Sequence, residues 1–361
     1  MKILFDHLCF MQKFGGVPKY FVELIKRLPQ EDVILTIHYS NNEHLKDLAI
    51  DRLHPFFPKL SFKGKPRIES EFGKLFSISQ IIRNKFDIYH QTHYDPYAFN
   101  FLNRSVKKVT TIHDMNYWTI PEYYRRNSRL MRNQILSAQK ADFIITISNN
   151  TKADISKYLN IPQDKIAVIP HGIDKNQYDH VEAYKSRNSY ILYNGSRNKY
   201  KNFEGFIKSF AKLKIMHRDL LLFCAGQPAR EHELRLLKYL EIENSVKFYQ
   251  ATDQQLISLY KGAKVFVFPS FYEGFGLPIL EAMASNCPIA LSNTSCFPEI
   301  AGDAGAYFNP YDTDEIARVI HNIIINEEFS NDLRKKGTNR IKNFSWEKSA
   351  QRHLEVYQSL L

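Results

Sequence analysis

The sequence predicts an α/β protein made of two Rossmann-like domains with parallel sheets. Short apolar runs alternate with segments of helical periodicity along most of the chain, and this alternation is typical of parallel sheets covered by helices on both faces. The pattern also restarts, because residues 2–28 and 190–213 each contain a strand, a polar turn with glycine and an amphipathic helix. We therefore expect two facing domains with a ligand cleft at the carboxyl ends of both sheets.

The predicted strands form two series of apolar runs bounded by polar turns. The first series is KILFD (2–6), VILTIHY (33–39), FDIYH (86–90), KVTTI (108–112), DFIITI (142–147) and KIAVIP (165–170). The second series is SYILYNGS (189–196), LLLFCAG (220–226), SVKFYQA (245–251), KVFVFPS (264–270) and CPIALS (287–292). Helical periodicity is clearest in 17–28 and 122–140, and the region from about 312 to 361 is rich in predicted helix.

A polar segment without periodicity, residues 171–188, separates the two series. It predicts a linker between an N-terminal domain over 1–178 and a C-terminal domain over 188–345. The last helix, about 346–361, is a candidate addition to the N-terminal domain. Neither glycine turn matches G-x-G-x-x-G, so the fingerprint of a nicotinamide or flavin site is absent from the sequence.

The chain has 361 residues and a net charge of +11 that is unevenly distributed. Residues 1–190 contain 28 Lys and Arg against 19 Asp and Glu. In 104–140 only Asp114 and Glu122 oppose a group of cations: Arg104, Lys107, Lys108, Arg125, Arg126, Arg129, Arg132 and Lys140. A basic face indicates an anionic partner such as a membrane surface, a phosphate-rich substrate or nucleic acid, unless it serves only solubility.

The sequence also predicts where the protein resides. No run approaches about 20 consecutive apolar residues, so no transmembrane helix is expected. The N-terminus, MKILFDHLCF, lacks the apolar core and cleavage site of a signal peptide. Four cysteines lack metal-ligand spacing and are predicted to be free thiols in a reducing compartment: Cys9, Cys224, Cys287 and Cys296. We therefore expect a cytoplasmic protein.

The stretch SFYEGFGLPILEAMASNCP (270–288) carries two carboxylates, Glu273 and Glu281, on either side of a glycine-rich turn. The segment before it predicts a strand, and Pro278 stands in the first turn of a predicted helix, where its missing N–H has no cost. Gly276 lets the backbone approach a ligand, and the free amides and dipole of the helix favour a phosphate. Glu281 lies one turn into the helix, where its carboxylate suits a ribose diol. The stretch thus predicts a site for a sugar, a diphosphate and a ribose in a row. A helix-capping Glu273 with an ordinary helix Glu281 is the alternative.

This stretch resembles the E-x7-E motif of retaining glycosyltransferase family 4, and the similarity extends over residues 268–305. The resemblance implies the two-domain GT-B fold and an enzyme that transfers a hexose from a nucleotide-diphosphate sugar. It also implies that Glu273 contacts the transferred sugar, that Glu281 contacts the ribose, and that the backbone amides of Gly276 and Leu277 contact the diphosphate.

A second turn, YNGSRNKYKNF (193–203), carries Arg197 and Lys201 after a predicted strand. Two cations at the carboxyl edge of a sheet suit a nucleoside diphosphate that no metal neutralises. The segment resembles the Arg/Lys pair with which the family stabilises the departing diphosphate, and Lys199 is the alternative partner in that pair. We therefore expect neither a metal nor a cofactor, only the nucleotide sugar as a co-substrate.

Two residues of the N-terminal domain resemble landmarks of the same family. Gly16, in FGGVPKY (14–20), resembles the glycine turn that covers the donor phosphate or approaches the acceptor. His113, at the end of the predicted strand KVTTI, resembles the histidine that contacts hydroxyls of the donor sugar. A half-buried structural histidine is the alternative for His113. The resemblance implies that the N-terminal domain binds the acceptor.

The aromatic and basic segment 121–140 is a candidate membrane surface. Its helix can place Tyr123, Tyr124, Leu130 and Met131 along an interface, with arginines toward anionic head groups. Packing of this helix against a sheet is the alternative. Because the family's acceptors are often lipid-linked, the resemblance implies a saccharide or polyprenyl-diphosphate-linked acceptor and a peripheral position at the inner face of the cell membrane.

The sequence is most similar to bacterial polysaccharide mannosyltransferases, which implies GDP-mannose as the donor and a role in O-antigen or other lipopolysaccharide synthesis. UDP-sugars are alternative donors on the same fold. A nucleotide-sugar epimerase is a competing enzyme class, and the basic charge raises nucleic-acid binding, although no known nucleic-acid module is present. We expect a retaining transferase that has no nucleic-acid partner.

Overall fold

The computed structural model describes residues 1–48, 50, 53–55, 62, 64–124 and 128–361. The chain divides into two compact units, one formed by residues 1–172 with 346–361 and the other by residues 173–345. The predicted linker, 171–188, thus begins at the end of the first unit and continues into the second.

The first unit contains a sheet of six parallel strands in the order β2-β1-β3-β4-β5-β6. The strands are β1 (Ile3–Phe5), β2 (Val33–Leu35), β3 (Ile88–Gln91), β4 (Lys107–Ile112), β5 (Phe143–Thr146) and β6 (Ile166–Val168). The helices up to residue 172 are α1 (Gly16–Ile25), α2 (Lys65–Arg83), α3 (Asn116–Thr119), α4 (Arg129–Lys140) and α5 (Asn149–Leu159). The strand order reverses at β1, so the loops after β1 and β3 diverge and leave a crevice at the carboxyl edge of the sheet.

The second unit repeats this architecture with six parallel strands in the order β12-β11-β10-β7-β8-β9. The strands are β7 (Tyr190–Asn194), β8 (Leu221–Ala225), β9 (Val246–Tyr249), β10 (Phe266–Phe268), β11 (Ile289–Ser292) and β12 (Gly305–Phe308). The helices are α6 (Asn176–Asp179), α7 (Phe203–Met216), α8 (Glu231–Tyr239), α9 (Asp253–Gly262), α10 (Leu277–Ala284), α11 (Phe297–Ala301), α12 (Thr313–Ile325) and α13 (Glu327–Arg340). Here the order reverses between β7 and β10.

The C-terminal helix, α14 (Trp346–Ser359), returns to the first unit. Two buried hydrogen bonds attach it there. His353 Nε2 lies 2.6 Å from the hydroxyl of Tyr20 in α1, and the hydroxyl of Tyr357 lies 2.6 Å from Nδ1 of His90 in β3. All four side chains are fully buried, so these polar atoms satisfy one another away from water.

Local sequence explains where the helices begin. The Ser148 hydroxyl accepts a hydrogen bond from the amide of Thr151 at 3.1 Å and caps α5. Thr252 and Gln255 form a reciprocal capping box at the start of α9. Within the described residues, no helix is both long enough and apolar enough to cross a membrane.

The prediction of two parallel α/β sheets is confirmed. Every predicted strand is present, and the structure adds β12, which pairs with β11 from Ile289 and Gly305 onward. The sequence of β12, GAYF, is too short to show an alternating or continuous apolar pattern, so it was not predicted as a strand. Pairing with β11 stabilises it. Arg125 and Arg126 of the predicted basic region lie outside the described residues.

Candidate functional site

Lys201 and Glu273 meet at the carboxyl edge of the second sheet. Lys201 follows β7 and Glu273 follows β10, the two strands between which the strand order reverses. The Lys201 Nζ donates to Oε1 of Glu273 at 2.5 Å, and the two side chains are 16% and 13% exposed. Two residues 72 positions apart are thus brought together at the place where open α/β sheets bind ligands.

The turn between Glu273 and α10 has the geometry of an anion site. Gly276 adopts a φ of 91°, which glycine tolerates and other residues adopt only with strain. A Cβ there would lie 3.0 Å from Cδ1 of Ile279 and 3.1 Å from the ring of Phe268. Helix α10 begins directly afterwards at Leu277 with Pro278 in its first turn. The amides of Gly276 and Leu277 at the helix start and the helix dipole therefore favour an anion beside Glu273.

Two residues after β11 hold this turn in place, and the sequence analysis assigned neither of them a role in the site. The Ser295 hydroxyl accepts from the Glu273 amide at 3.1 Å and donates to the Glu273 carbonyl at 2.9 Å. The Cys296 thiol lies 3.2 Å from the carbonyl oxygens of Glu273 and Phe275. Ser295 adopts a φ of 49°, in the left-handed region that is uncommon for residues other than glycine. The signal available in the sequence was the family-like stretch around SNTSCFPE, which carried no assigned role.

Glu281 lies on α10 and is held by a chain of two further side chains. The hydroxyl of Tyr260, from α9, donates to Oε2 of Glu281 at 3.3 Å. Nδ2 of Asn194, at the end of β7, donates to the Tyr260 hydroxyl at 3.0 Å. Burial, and then the charge of Glu281, raise the pKa of Tyr260 well above its usual value, so the phenol remains a donor. Tyr260 and Asn194 thus contribute to the orientation of Glu281, although their sequence positions are those of an ordinary helix residue and an ordinary strand residue.

Arg197 is paired with a different carboxylate from the one that Lys201 contacts. Its guanidinium forms an ion pair with Glu233 at 2.9 Å, and both side chains are 2% exposed. Lys199, the alternative partner, is exposed in the short 3₁₀ helix Lys199–Lys201. The predicted contact of Arg197 or Lys199 with a diphosphate therefore stays a prediction.

His113 follows β4 in the first unit, where the sequence places it. The ring is 8% exposed and its Nε2 is buried without a hydrogen-bond partner in the described part of the chain. Burial, followed by the neighbouring His93 and His353, lowers the pKa of His113 to about 3, so the ring is neutral near pH 7. The predicted sugar contact of His113 stays a prediction, as does the phosphate contact of Gly16, which is exposed at the start of α1.

A cavity of about 600 Å³ lies at the carboxyl edge of the first sheet. Leu8 and Gln12, after β1, form one wall, and His93, Tyr94 and Asp95, after β3, form another. It thus occupies the crevice where the strand order reverses. The Tyr94 hydroxyl accepts a hydrogen bond from the His113 amide at 3.1 Å. The wall of the cavity is therefore in direct contact with His113.

Comparisons with known proteins agree with this architecture. Residues 174–340 match the family model described as Glycosyl transferases group 1, and residues 14–177 match Glycosyltransferase Family 4. The O-antigen chain mannosyltransferase B of Escherichia coli is 27% identical over 401 aligned positions that cover 100% of both chains. The O-antigen chain mannosyltransferase RfbU of Salmonella typhimurium is 29% identical over 60% of each chain.

Solved structures show the same fold. Anabaena Alr3699/HepE, solved in complex with UDP and glucose, has a TM-score of 0.77 at 17% identity. The alignment covers 99% of this chain and 100% of that chain.

Proposed function

The chain belongs to the glycosyltransferases of group 1 and family 4 and has the GT-B fold, and we propose that it transfers a hexose from a nucleotide-diphosphate sugar to a saccharide or lipid-linked acceptor. The observation that carries this proposal is the Lys201–Glu273 contact beside the start of α10. A cation, a carboxylate and free helix amides together suit a ligand that is part diphosphate and part sugar.

Each group has a proposed role in donor binding. The ammonium of Lys201 has three N–H donors, so it can bind a phosphate oxygen while it still donates to Glu273. The second carboxylate oxygen of Glu273 accepts a hydroxyl of the transferred sugar. The amides of Gly276 and Leu277 bind the diphosphate, and Glu281 binds the ribose diol in the orientation that Tyr260 sets.

In the proposed reaction, the bond between C1 of the sugar and the β-phosphate oxygen breaks, and C1 bonds to the acceptor hydroxyl oxygen on the same face. Because the new bond forms on the face from which the phosphate leaves, the configuration at C1 is retained. The hydroxyl proton passes to the departing phosphate. Negative charge grows on the diphosphate as the bond breaks, and Lys201 with the α10 amides stabilises it without a metal. The contact of His113 with a sugar hydroxyl stays part of the proposal, because its Nε2 has no hydrogen-bond partner among the described residues.

We propose mannose as the sugar and GDP-mannose as the donor, in the synthesis of an O-antigen or a similar envelope polysaccharide. The names of two relatives, both O-antigen mannosyltransferases, support this choice. A UDP-sugar is the alternative, because a protein of the same fold was solved with UDP and glucose. Thermal unfolding in the presence of GDP-, UDP-, ADP- and dTDP-sugars separates these donors, since a specific ligand stabilises only the folded state.

The crevice in the first unit is the proposed acceptor site. Its volume lies within the range of about 300–1,000 Å³ that is usual for small-molecule sites. Asp95 and Asn133 supply a carboxylate and an amide for hydroxyl groups, and Leu8 supplies apolar surface. Asp95→Asn is expected to raise the KM for the acceptor and to leave the KM for the donor unchanged. An unchanged acceptor KM would exclude this crevice.

We also propose a cytoplasmic location with peripheral binding to an anionic membrane through the basic region 104–140. Arg129, Leu130 and Arg132 are exposed on α4, whereas Tyr123, Tyr124 and Met131 of the predicted interface are half-buried. Co-sedimentation with anionic and neutral vesicles tests this, with Arg129→Glu/Arg132→Glu as the charge-reversed variant. Equal binding of the wild type and this variant would contradict the proposal.

Substitution of Lys201 tests the catalytic site itself. Lys201→Ala is expected to remain folded and to lower kcat by about 10²-fold or more, the usual loss when one donor to a developing charge is removed. Lys208→Ala is the matched control, because Lys208 has the same side chain, is exposed on α7 of the same unit and has no proposed role in the site. Sugar transfer to the acceptor is measured with the donor found by the thermal screen. Wild-type turnover by Lys201→Ala would overturn the site.

A further inference from the structure

Arg197 lies at the centre of a buried group of contacts between the loops that follow β7 and β8. Its Nε donates to Oε1 of Glu233 at 2.9 Å. Its Nη2 donates to the carbonyl oxygens of Gln227 at 2.8 Å and Pro228 at 2.6 Å. The rings of Phe203 and Phe248 lie 5.4 and 5.1 Å from the guanidinium carbon. The guanidinium thus connects two loops and two aromatic side chains in one place.

Glu233 holds a second element at the same point. Its Oε2 accepts a hydrogen bond from the amide of Arg230 at 2.7 Å, at the N-terminus of α8. One carboxylate therefore caps a helix and neutralises Arg197. Both side chains are 2% exposed, so neither charge has water as an alternative partner.

The turn that carries Lys201 is fixed at both ends. Arg197 attaches its beginning to the loop after β8. At its end, Asn202 has a φ of 53°, and its Nδ2 donates to the carbonyl oxygen of Pro310 at 2.6 Å. Lys201 immediately precedes Asn202, so both attachments determine where its ammonium points.

We propose that Arg197 and Glu233 are a positioning pair, which holds the Lys201 turn against the β8 loop and does not contact the diphosphate. This proposal rests on the proposed function, because it presumes a diphosphate in the site. Of Lys201 and Arg197, only Lys201 would bind that diphosphate. A diphosphate that bound Arg197 would have to reach a guanidinium that is 2% exposed and compete with a buried carboxylate. Even Nη1, which has no hydrogen-bond partner within the described residues, is buried.

A double-mutant cycle separates positioning from direct contact. The variants are Arg197→Met, Glu233→Gln and the double variant, and the readouts are kcat, the donor KM and the affinity for the nucleoside diphosphate of the active donor. If the pair positions Lys201, each single variant leaves one buried charge unpaired and lowers kcat by at least about ten-fold. The donor KM changes less than kcat, and the double variant regains at least about ten-fold in kcat over the worse single variant.

Direct contact of Arg197 with the diphosphate predicts a different pattern. Arg197→Met then loses kcat and nucleoside diphosphate affinity, Glu233→Gln retains both, and the double variant is as impaired as Arg197→Met. That pattern would overturn the proposal. So would a pair of single variants that unfold at lower temperature but keep wild-type kcat, because the pair would then serve stability alone.

A matched control lies on the same helix. Glu231 and Arg235 of α8 form an exposed ion pair at 2.6 Å, and Glu231→Gln is expected to leave kcat and the unfolding temperature unchanged. The coupling between the Arg197 and Glu233 substitutions can also be measured from unfolding temperatures, and this measurement requires no ligand. A protein that shows this coupling but binds no nucleoside diphosphate would contradict the proposed function, whereas binding and transfer without coupling would contradict only the positioning pair.

Discussion

Gly276→Ala tests the geometry of the turn before α10. At a φ of 91° an alanine is strained by about 1–2 kcal/mol. The added Cβ would also lie 3.0 Å from Ile279, 3.1 Å from Phe268 and 3.3 Å from Phe297, and overpacking of this kind costs about 1–3 kcal/mol. We expect the second unit to lose about 2–5 kcal/mol of unfolding free energy, and donor affinity to fall because α10 shifts.

Gly195→Ala is the control for this prediction. Gly195 belongs to the same unit and has a φ of 128°, but a Cβ there meets no atom within 4 Å. Only the strain of about 1–2 kcal/mol is then expected. Hydrogen exchange of the buried β10 and β11 amides reports the stability of this unit, at about 1.4 kcal/mol for each ten-fold change in protection. Equal protection in the two variants would refute the close packing at Gly276.

The remaining predictions concern the Glu281 chain and the buried histidines. Tyr260→Phe removes one hydrogen bond to Glu281 and is expected to raise the KM for the nucleotide sugar by about 3–10-fold with kcat retained, as measured by steady-state kinetics. Burial lowers the pKa of His353 to about 4, whereas the unfolded imidazole titrates near 6.5. The contribution of His353 to the free energy of unfolding is therefore fully present above pH 6.5 and falls by about 1.4 kcal/mol per pH unit between pH 6.5 and about 4. Urea unfolding of His353→Gln should show a shallower decline.

Much of the fold follows from local patterns in the sequence. Buried parallel strands need continuous apolar runs, and those runs predict β1 to β11 directly. The strand β12 lacked such a run, because Gly305 and Ala306 contribute little apolar surface of their own. Its place depends on the register with β11, which no local pattern encodes.

The candidate site divides in the same way. The sequence predicts that Lys201 and Glu273 each lie in a turn after a strand. Their contact could not be predicted, because it depends on the strand order that places β7 beside β10. Tyr260 reads as an ordinary residue of an amphipathic helix, and only the packing of α9 against α10 brings its hydroxyl to Glu281. Sequence motifs thus identify residues that bind, while the residues that orient them come from distant elements.

The turn after β7 carries two cations, Lys201 and Arg197, and their burial determines which of them can bind a ligand anion. A cation can bind a ligand anion only if its existing partners are released or leave donors unused. Lys201 is 16% exposed and donates to one carboxylate oxygen, so its ammonium has further donors to offer at small desolvation cost. Arg197 is 2% exposed and already serves a carboxylate and two carbonyl groups. Release of Arg197 would leave Glu233 as an unpaired buried charge, a cost of several kcal/mol that a single new phosphate contact would have to exceed.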